Sequence, residues 1–307
     1  MNKPSIGCVI LTYQAKRHLP LCLQHLFNSS LNPRILVVDS SSSDGTADIA
    51  KSYGVEVLVI PQSEFNHGKT RELARKYLGT DIVCMLTQDA YLYDKHALES
   101  LVHPIIKKHA SLAYARQVPH QGAGFFEVFA RRYNYPETSH IRSIDDIEKY
   151  GIYTFFCSDS CAAYSNEALD EIGGFSDVLL GEDTVAAAKL LRRGHKIAYI
   201  AEAVVKHSHR YSLLEEFQRH FDTGLARNEY ADLLHCERGD TKRGFDYAKK
   251  MFKELARKSP QKLPYAFLHI LSKWSGYQVG KRSVRAPLWF KRALSSQKFY
   301  WNRKLLK

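Results

Sequence analysis

The sequence predicts an α/β protein with a central, mostly parallel sheet flanked by helices and followed by a basic helical extension. Three observations carry this. Continuous apolar runs at 6–12, 34–39 and 82–86 read as strands buried on both faces. Segments with apolar residues at helical spacing alternate with them, which argues for parallel strands joined by right-handed crossovers. The charge also changes abruptly: Ala231 to Lys307 holds 19 Lys and Arg against 5 Asp and Glu, while the first 230 residues hold 25 against 27.

In chain order, 6–12 is a first strand, and Leu19, Leu23, Leu26 and Phe27 mark the helix after it. A second strand, 34–39, ends in Asp39, and 41–46 is a turn that also caps a helix running to about Tyr53. Residues 55–60 make a third strand and 68–78 a third helix. The apolar run from Asp81 ends in the polar tip Thr87-Gln88-Asp89, and a helix covers 98–108. Residues 117–150, with Gln121-Gly122-Ala123-Gly124, read as a mobile loop over the site. A strand at 155–164, a short helix at 166–172, a turn at Gly173-Gly174, a helix from Asp183 closed by Gly194, and a last short strand at 196–200 follow. From about Tyr211 the pattern is helical and basic, giving a catalytic domain over 1–210 and a helical region over 211–307.

Composition narrows the function. At 307 residues, 45% apolar and 25% charged, the chain suits one large core with an appendage. Met1-Asn2-Lys3-Pro4 runs directly into a strand, so no signal peptide is expected, and no apolar stretch approaches the ~20 residues that span a bilayer. The six cysteines form no C-x-x-C pair, which suits reduced thiols in a cytosolic protein; Cys157 and Cys161 lack a second pair, so zinc is not expected. Thr12-Tyr13-Gln14-Ala15 lacks the glycines of a dinucleotide fold, and Ser63 stands where a P-loop ending in Gly68-Lys69-Thr70 needs glycine.

What remains is a set of polar residues at strand ends, where open α/β sheets bind ligands. Asp39 ends the second strand and Asp89 the fourth, Glu182-Asp183 opens a helix, and His207-Ser208-His209 follows the strand-like run 203–206. With a helix N-terminus at Gly68, they suit a nucleotide-diphosphate site.

Val38-Asp39-Ser40 with Asp44-Gly45-Thr46, Gln88-Asp89-Ala90 and Gly181-Glu182-Asp183 resemble the inverting family 2 glycosyltransferases of the GT-A fold. Glu64 to Arg71, Thr87 to Ala90, Ala115-Arg116-Gln117, Tyr133 to Pro136 and His207 to His209 are similar, more narrowly, to bacterial rhamnosyltransferases. The resemblance covers about Ile6 to Tyr211, with an echo at Gly276-Tyr277 and Gly280. It implies a nucleotide-sugar site formed by Thr12, Asp39, Asp44, His67, Gly68, Arg71, Gln88, Arg116 and Gln117. Asp39 would accept a hydrogen bond from a pyrimidine N3–H; Asp44 would hold the ribose side, or else order its loop or cap the helix. Arg71 would reach the donor, or else lie on the surface. Asp89 matches the last position of the family's D-x-D metal motif, with Thr87 in place of the first Asp. One carboxylate plus substrate phosphates can hold Mg²⁺; His207 or His209, the former preferred, would complete the site and suit Mn²⁺ better. Asp183 is the implied general base and Glu182 its alternate, against a reading in which both only favour the helix dipole. Tyr133, Asn134 and Tyr135 would stack on an acceptor sugar or else pack a loop.

The resemblance thus implies transfer of L-rhamnose from a dTDP donor to a lipid-linked bacterial surface glycan, by a protein lying on the cytoplasmic face of the inner membrane. A UDP-hexose donor is the alternative within the class. A nucleic-acid-binding protein on a degenerate transferase fold is the alternative outside it, although no recognition motif accompanies the basic charge. In the tail, 286–294 and 299–307 mix Trp, Phe and Tyr with Lys and Arg, a composition that suits anionic headgroups.

Overall fold

The computed structural model describes residues 3–235 and 241–305. Its elements run β1 (Ile6–Thr12), α1 (Leu19–Phe27), β2 (Arg34–Asp39), α2 (Thr46–Ser52), β3 (Glu56–Val59), α3 (His67–Leu78), β4 (Ile82–Thr87), β5 (Tyr91–Leu92) and α4 (Ala97–Ile106). Then come β6 (Leu112–Val118), α5 (Phe125–Asn134), β7 (His140–Arg142), α6 (Ile147–Tyr150), β8 (Cys161–Ser165), α7 (Asn166–Glu171), α8 (Glu182–Arg192) and β9 (Ile197–Lys206). The extension holds α9 (Leu213–Glu229), α10 (Thr241–Lys258), α11 (Leu263–Arg282), α12 (Leu288–Leu294) and α13 (Lys298–Leu305).

The strands form one sheet in the order β3-β2-β1-β4-β8-β6-β9-β5, with β7 added against β9. The half containing β3, β2, β1 and β4 is parallel, as its apolar runs require. Alternate residues of these strands enter different cores. Ile10, Val37 and Cys84 face α1 and α4, while Val9, Val38 and Met85 face α3 and α8. That double burial is why the strands read as unbroken apolar runs instead of alternating ones.

The second half departs from the expected parallel pattern. β8 lies antiparallel to both β4 and β6. The strand expected over 155–164 is shorter, because 151–155 forms a 3-10 turn. The two short strands expected near 196–206 are one, β9, whose pairing with β6 slips between Ala115 and Arg116. The expected loop over 117–150 contains α5, capped where Glu127 accepts the Gly124 N–H at 2.7 Å. Gly-rich spacing masked that helix, whose apolar face (Phe125, Phe126, Phe129) packs against α10 and α11.

The tail also departs from expectation. Tyr300 and Trp301 of α13 are buried with Phe221, Leu225 and Leu179, so 299–305 is largely a packing element and not a membrane face; the last two residues of the expected segment 299–307 lie outside the described residues. Phe299 meets Phe65 edge-on at 5.4 Å, and Arg303 pairs with Asp177 at 2.5 Å. α11 lies against α9 through Gly276 and Gly280, where a Cβ would strike the carbonyls of Phe217 and Phe221. Gly280→Ala is therefore expected to destabilise by about 1–3 kcal/mol through overpacking, read as a lower urea midpoint. Gly244→Ala, on α10 with open space around it, should leave the midpoint unchanged or raise it.

Candidate active site

The carboxyl ends of β1, β2, β4, β6 and β9 and the amino end of antiparallel β8 open on one edge of the sheet. Asp39, Asp89 and His207 follow from those strand ends. Asp183 joins them because the turn before β8 donates the Asp159 N–H to its Oδ2 at 3.3 Å. The rim thus collects the carboxylates that the sequence scatters over 145 positions from Asp39 to Asp183.

At one end of the rim, side chains knit the loops. Asp39 is fully buried; its Oδ1 accepts the Thr12 hydroxyl at 2.9 Å and the Ser42 hydroxyl at 2.6 Å, and its Oδ2 accepts the Ser42 N–H at 2.8 Å. As the chain stands, this carboxylate ties β1 to the turn after β2. Thr12 is committed to that same bond. Asp44 follows its loop-ordering alternative, accepting Thr46 N–H and hydroxyl and the Lys16 N–H at 3.0 Å. Burial works against its charge, but those bonds hold the carboxyl below its ordinary range. Gln88 Oε1 accepts the Tyr13 N–H at 2.8 Å, fixing the β1–α1 loop to the end of β4.

The centre of the rim is a ligand set. Asp89, His207 and His209 place one donor atom each within 4.8 Å of one another. Asp89 Oδ2 lies 3.6 Å from His207 Nε2 and 3.5 Å from His209 Nε2. Gln117 donates from Nε2 to Ser158 at 2.8 Å, which turns its Oε1 to accept from His207 Nδ1 at 2.9 Å. His207 is thereby held as the tautomer with a lone pair on Nε2, aimed at Asp89. That nitrogen is buried with no hydrogen-bond partner. Burial lowers the His207 pKa to about 3, against the pull of Asp89. A neutral imidazole with a free buried lone pair beside a carboxylate fits a divalent cation. Arg131 donates to the His207 carbonyl at 2.7 Å and holds the strand end against α5.

Where α3 and the start of α8 meet the turn before β8 lies a buried ion network. Arg71, fully enclosed, pairs through Nε with Asp159 at 2.9 Å and through Nη1 with Glu182 at 2.7 Å. Tyr164 donates to Asp159 at 2.6 Å. Burial pushes the Asp159 carboxyl up to about 6, with Arg71 opposing. Burial likewise opposes Glu182, but Arg71 and His67 outweigh it and keep that carboxyl low. Asp183, half-buried, is pushed up to about 8 by burial and by the charges of Glu182 and Asp159. Glu182 thus holds the negative charge, and Asp183 is the carboxyl whose proton exchanges near neutrality.

Several sequence expectations change here. Arg71 is neither on the surface nor free for a donor, because its guanidinium is spent on two carboxylates. Gly68 serves close packing, since a Cβ there would strike the Ser176 carbonyl, and half-buried His67 stacks edge-on against Phe65 at 4.9 Å. Gln117 reaches the site through His207, whereas Arg116 pairs with Glu137 at 2.6 Å. Tyr135 is buried against Phe156 and Tyr199. Asn134 accepts from Arg243, and the Tyr133 hydroxyl donates to Asp246 at 2.9 Å. All three make packing contacts in the chain as it stands. Asp159, flanked by Ser158 and Ser160, lies in the turn before β8 and not inside the strand expected over 155–164.

Breaking a buried pair strands its partners. Arg71→Met is expected to destabilise by about 3–5 kcal/mol, with part of the loss recovered at low pH as Asp159 and Glu182 take up protons. Lys69→Met, at the exposed pair with Asp177, should cost less than about 1 kcal/mol. Urea unfolding at two pH values reads both.

Residues 8–173 match the family described as Glycosyl transferase family 2. The chain is 38% identical over 301 residues to the O-antigen chain rhamnosyltransferase RfbN of Salmonella typhimurium, covering 97% of this chain and 96% of that protein. It is 37% identical over 303 residues to the O-antigen chain rhamnosyltransferase WbaN of Salmonella anatum, with the same coverage of 97% and 96%. Among solved structures, S. aureus TarS in complex with UDP-GlcNAc aligns with a TM-score of 0.57 at 16% identity, over 98% of this chain and 90% of that one. A mannosyltransferase, PcManGT from Pyrobaculum calidifontis in complex with GDP-Man and Mn2+, aligns with a TM-score of 0.56 at 15% identity, over 100% and 87%. At such identities the two structures establish the fold, an α/β arrangement of GT-A type.

Proposed function

The chain belongs to glycosyl transferase family 2, and we propose that it is an inverting rhamnosyltransferase that takes L-rhamnose from dTDP-L-rhamnose. Its acceptor in this reading is a lipid-linked bacterial surface glycan, met at the cytoplasmic face of the inner membrane. The observation that supports it best is the rim itself: a carboxyl that titrates near neutrality, Asp183, shares one sheet edge with the Asp89–His207–His209 ligand set. The near full-length likeness to two O-antigen chain rhamnosyltransferases supports the choice of sugar.

Inversion is a single displacement. The acceptor hydroxyl oxygen attacks the anomeric carbon from the face opposite the diphosphate, the new C–O bond forms as the old one breaks, and the nucleoside diphosphate leaves with the electron pair. The acceptor proton passes to the Asp183 carboxylate, which must be ionised to take it. Glu182 and Asp159, both paired with Arg71, fix the start of α8 and so aim Asp183. A divalent cation, Mg²⁺ or Mn²⁺, held by Asp89, His207 and His209 would supply the positive charge that stabilises the departing diphosphate. Gln117 and Arg131 keep His207 oriented, and the bonds of Asp39, Asp44 and Gln88 pre-order the loops beside it.

Turnover measured across purified dTDP-, UDP- and GDP-sugars tests this reading. Turnover with dTDP-L-rhamnose well above every other donor is the expected result. Preference for a UDP-hexose would overturn the donor assignment.

A further inference from the structure

α11 turns part of its apolar surface outward. Its buried face carries Ala266, His269, Gly276 and Gly280, small or polar residues that let it lie close against α9. Leu263, Ile270 and Val279 pack partly buried against neighbouring helices, but Phe267, Leu268, Leu271 and Trp274 point the other way. Phe267, Leu271 and Trp274 fall at i, i+4 and i+7, one stripe at 100° per residue, and are 61%, 42% and 59% exposed. Leu268 flanks them and is also exposed. The stripe runs ~10 Å along the helix. Exposed Lys262 lies before it, and exposed Lys281 and Arg282 end the helix. No acidic residue occurs on α11 or anywhere after Glu254.

We infer that this exposed face of α11 is the surface by which the protein lies on an anionic phospholipid bilayer. Charge decides the occupant. A second copy seated on the stripe would bring two α11 helices together, each with basic ends and no carboxylate of its own to pair them, and like charges at a shared face oppose association. An anionic bilayer matches the cations at the ends of the stripe and accepts its apolar middle, with Trp274 suited to the headgroup boundary. No helix among the described residues is long and apolar enough to cross a membrane, so the contact is interfacial. The docking surface thus lies on α11, apart from the tail segments 286–294 and 299–307 to which composition pointed. It deepens the proposed use of a lipid-linked acceptor.

The test uses neither donor nor acceptor, so its failure is separable from failure of the transferase reading. The full chain is floated with phosphatidylethanolamine–phosphatidylglycerol vesicles and with phosphatidylcholine vesicles, alongside Phe267→Ser/Trp274→Ser. The parent is expected to float with the anionic vesicles and far less with the zwitterionic ones. The double variant should show a bound fraction lower by about ten-fold or more. In a Trp289→Phe background, brominated acyl chains should quench the emission of Trp274, a readout that leaves the stripe intact. Failure to float, equal binding to both vesicle types, undiminished binding by the double variant or absence of quenching would each overturn the inference. So would a concentration-dependent dimer lost in the double variant, which would give the face to a second copy.

Discussion

Asp183→Asn is expected to lower kcat by about 10³-fold or more, while dTDP still binds. General-base catalysis alone contributes about 10²–10⁴-fold, and the amide keeps the shape of the carboxylate without its basicity. The pH dependence follows from the raised carboxyl. Only the ionised form takes the acceptor proton, so kcat/KM should fall as pH drops below about 8, the value to which burial, Glu182 and Asp159 push Asp183. Stability moves oppositely. A carboxyl raised in the folded state favours folding fully only below its unfolded value of about 4, and that contribution is lost as pH rises through about 8. At pH 8 the Asn variant escapes this loss, and its Tm should exceed the parent's by roughly 2–4 °C for each ~1 kcal/mol relieved. An inactive variant that is also more stable separates a base from a structural carboxylate. Full turnover in Asp183→Asn would refute the assignment.

The second large effect is expected at the ligand set. Asp89→Ala removes the carboxylate that both histidines face at 3.5 and 3.6 Å, and turnover should fall by about 10²–10³-fold, the scale of losing one preorganised electrostatic partner at a leaving group. His207→Ala should behave similarly. Gln117→Leu, which frees the His207 ring without removing a ligand, should weaken cation affinity by about 10–100-fold. Titrating Mn²⁺ into each variant while following turnover reads the series. In Gln117→Leu excess cation restores the rate, and in Asp89→Ala it does not. Chelation of the parent enzyme should mimic Asp89→Ala.

The parallel half of the fold was legible because burial on both faces writes itself as unbroken apolar runs. Asp39 and Asp89 could therefore be placed at strand ends from the sequence alone. β8 was blurred because an antiparallel strand entering a parallel sheet carries no local mark, and its leading turn at 158–160 hid Asp159. α5 was lost behind Gly122 and Gly124, although Glu127 stood ready to cap it. Charge sign alone could not separate Arg71 in a buried pair from Arg71 at a substrate; only the positions of Asp159 and Glu182 around it do that. The tail misled for a related reason. Trp301 and Trp274 look alike in the sequence, yet one is sealed beneath α9 and the other faces outward.

In the proposed reaction a cation at Asp89, His207 and His209 meets the diphosphate of the donor. Calorimetric titration of dTDP, with and without Mn²⁺, into the parent and into Asp89→Ala measures that coupling directly. The parent should bind dTDP at least about ten-fold more tightly with Mn²⁺, a coupling of about 1.4 kcal/mol, and the variant should show none. Equal strengthening in both proteins, or none in the parent, would contradict it.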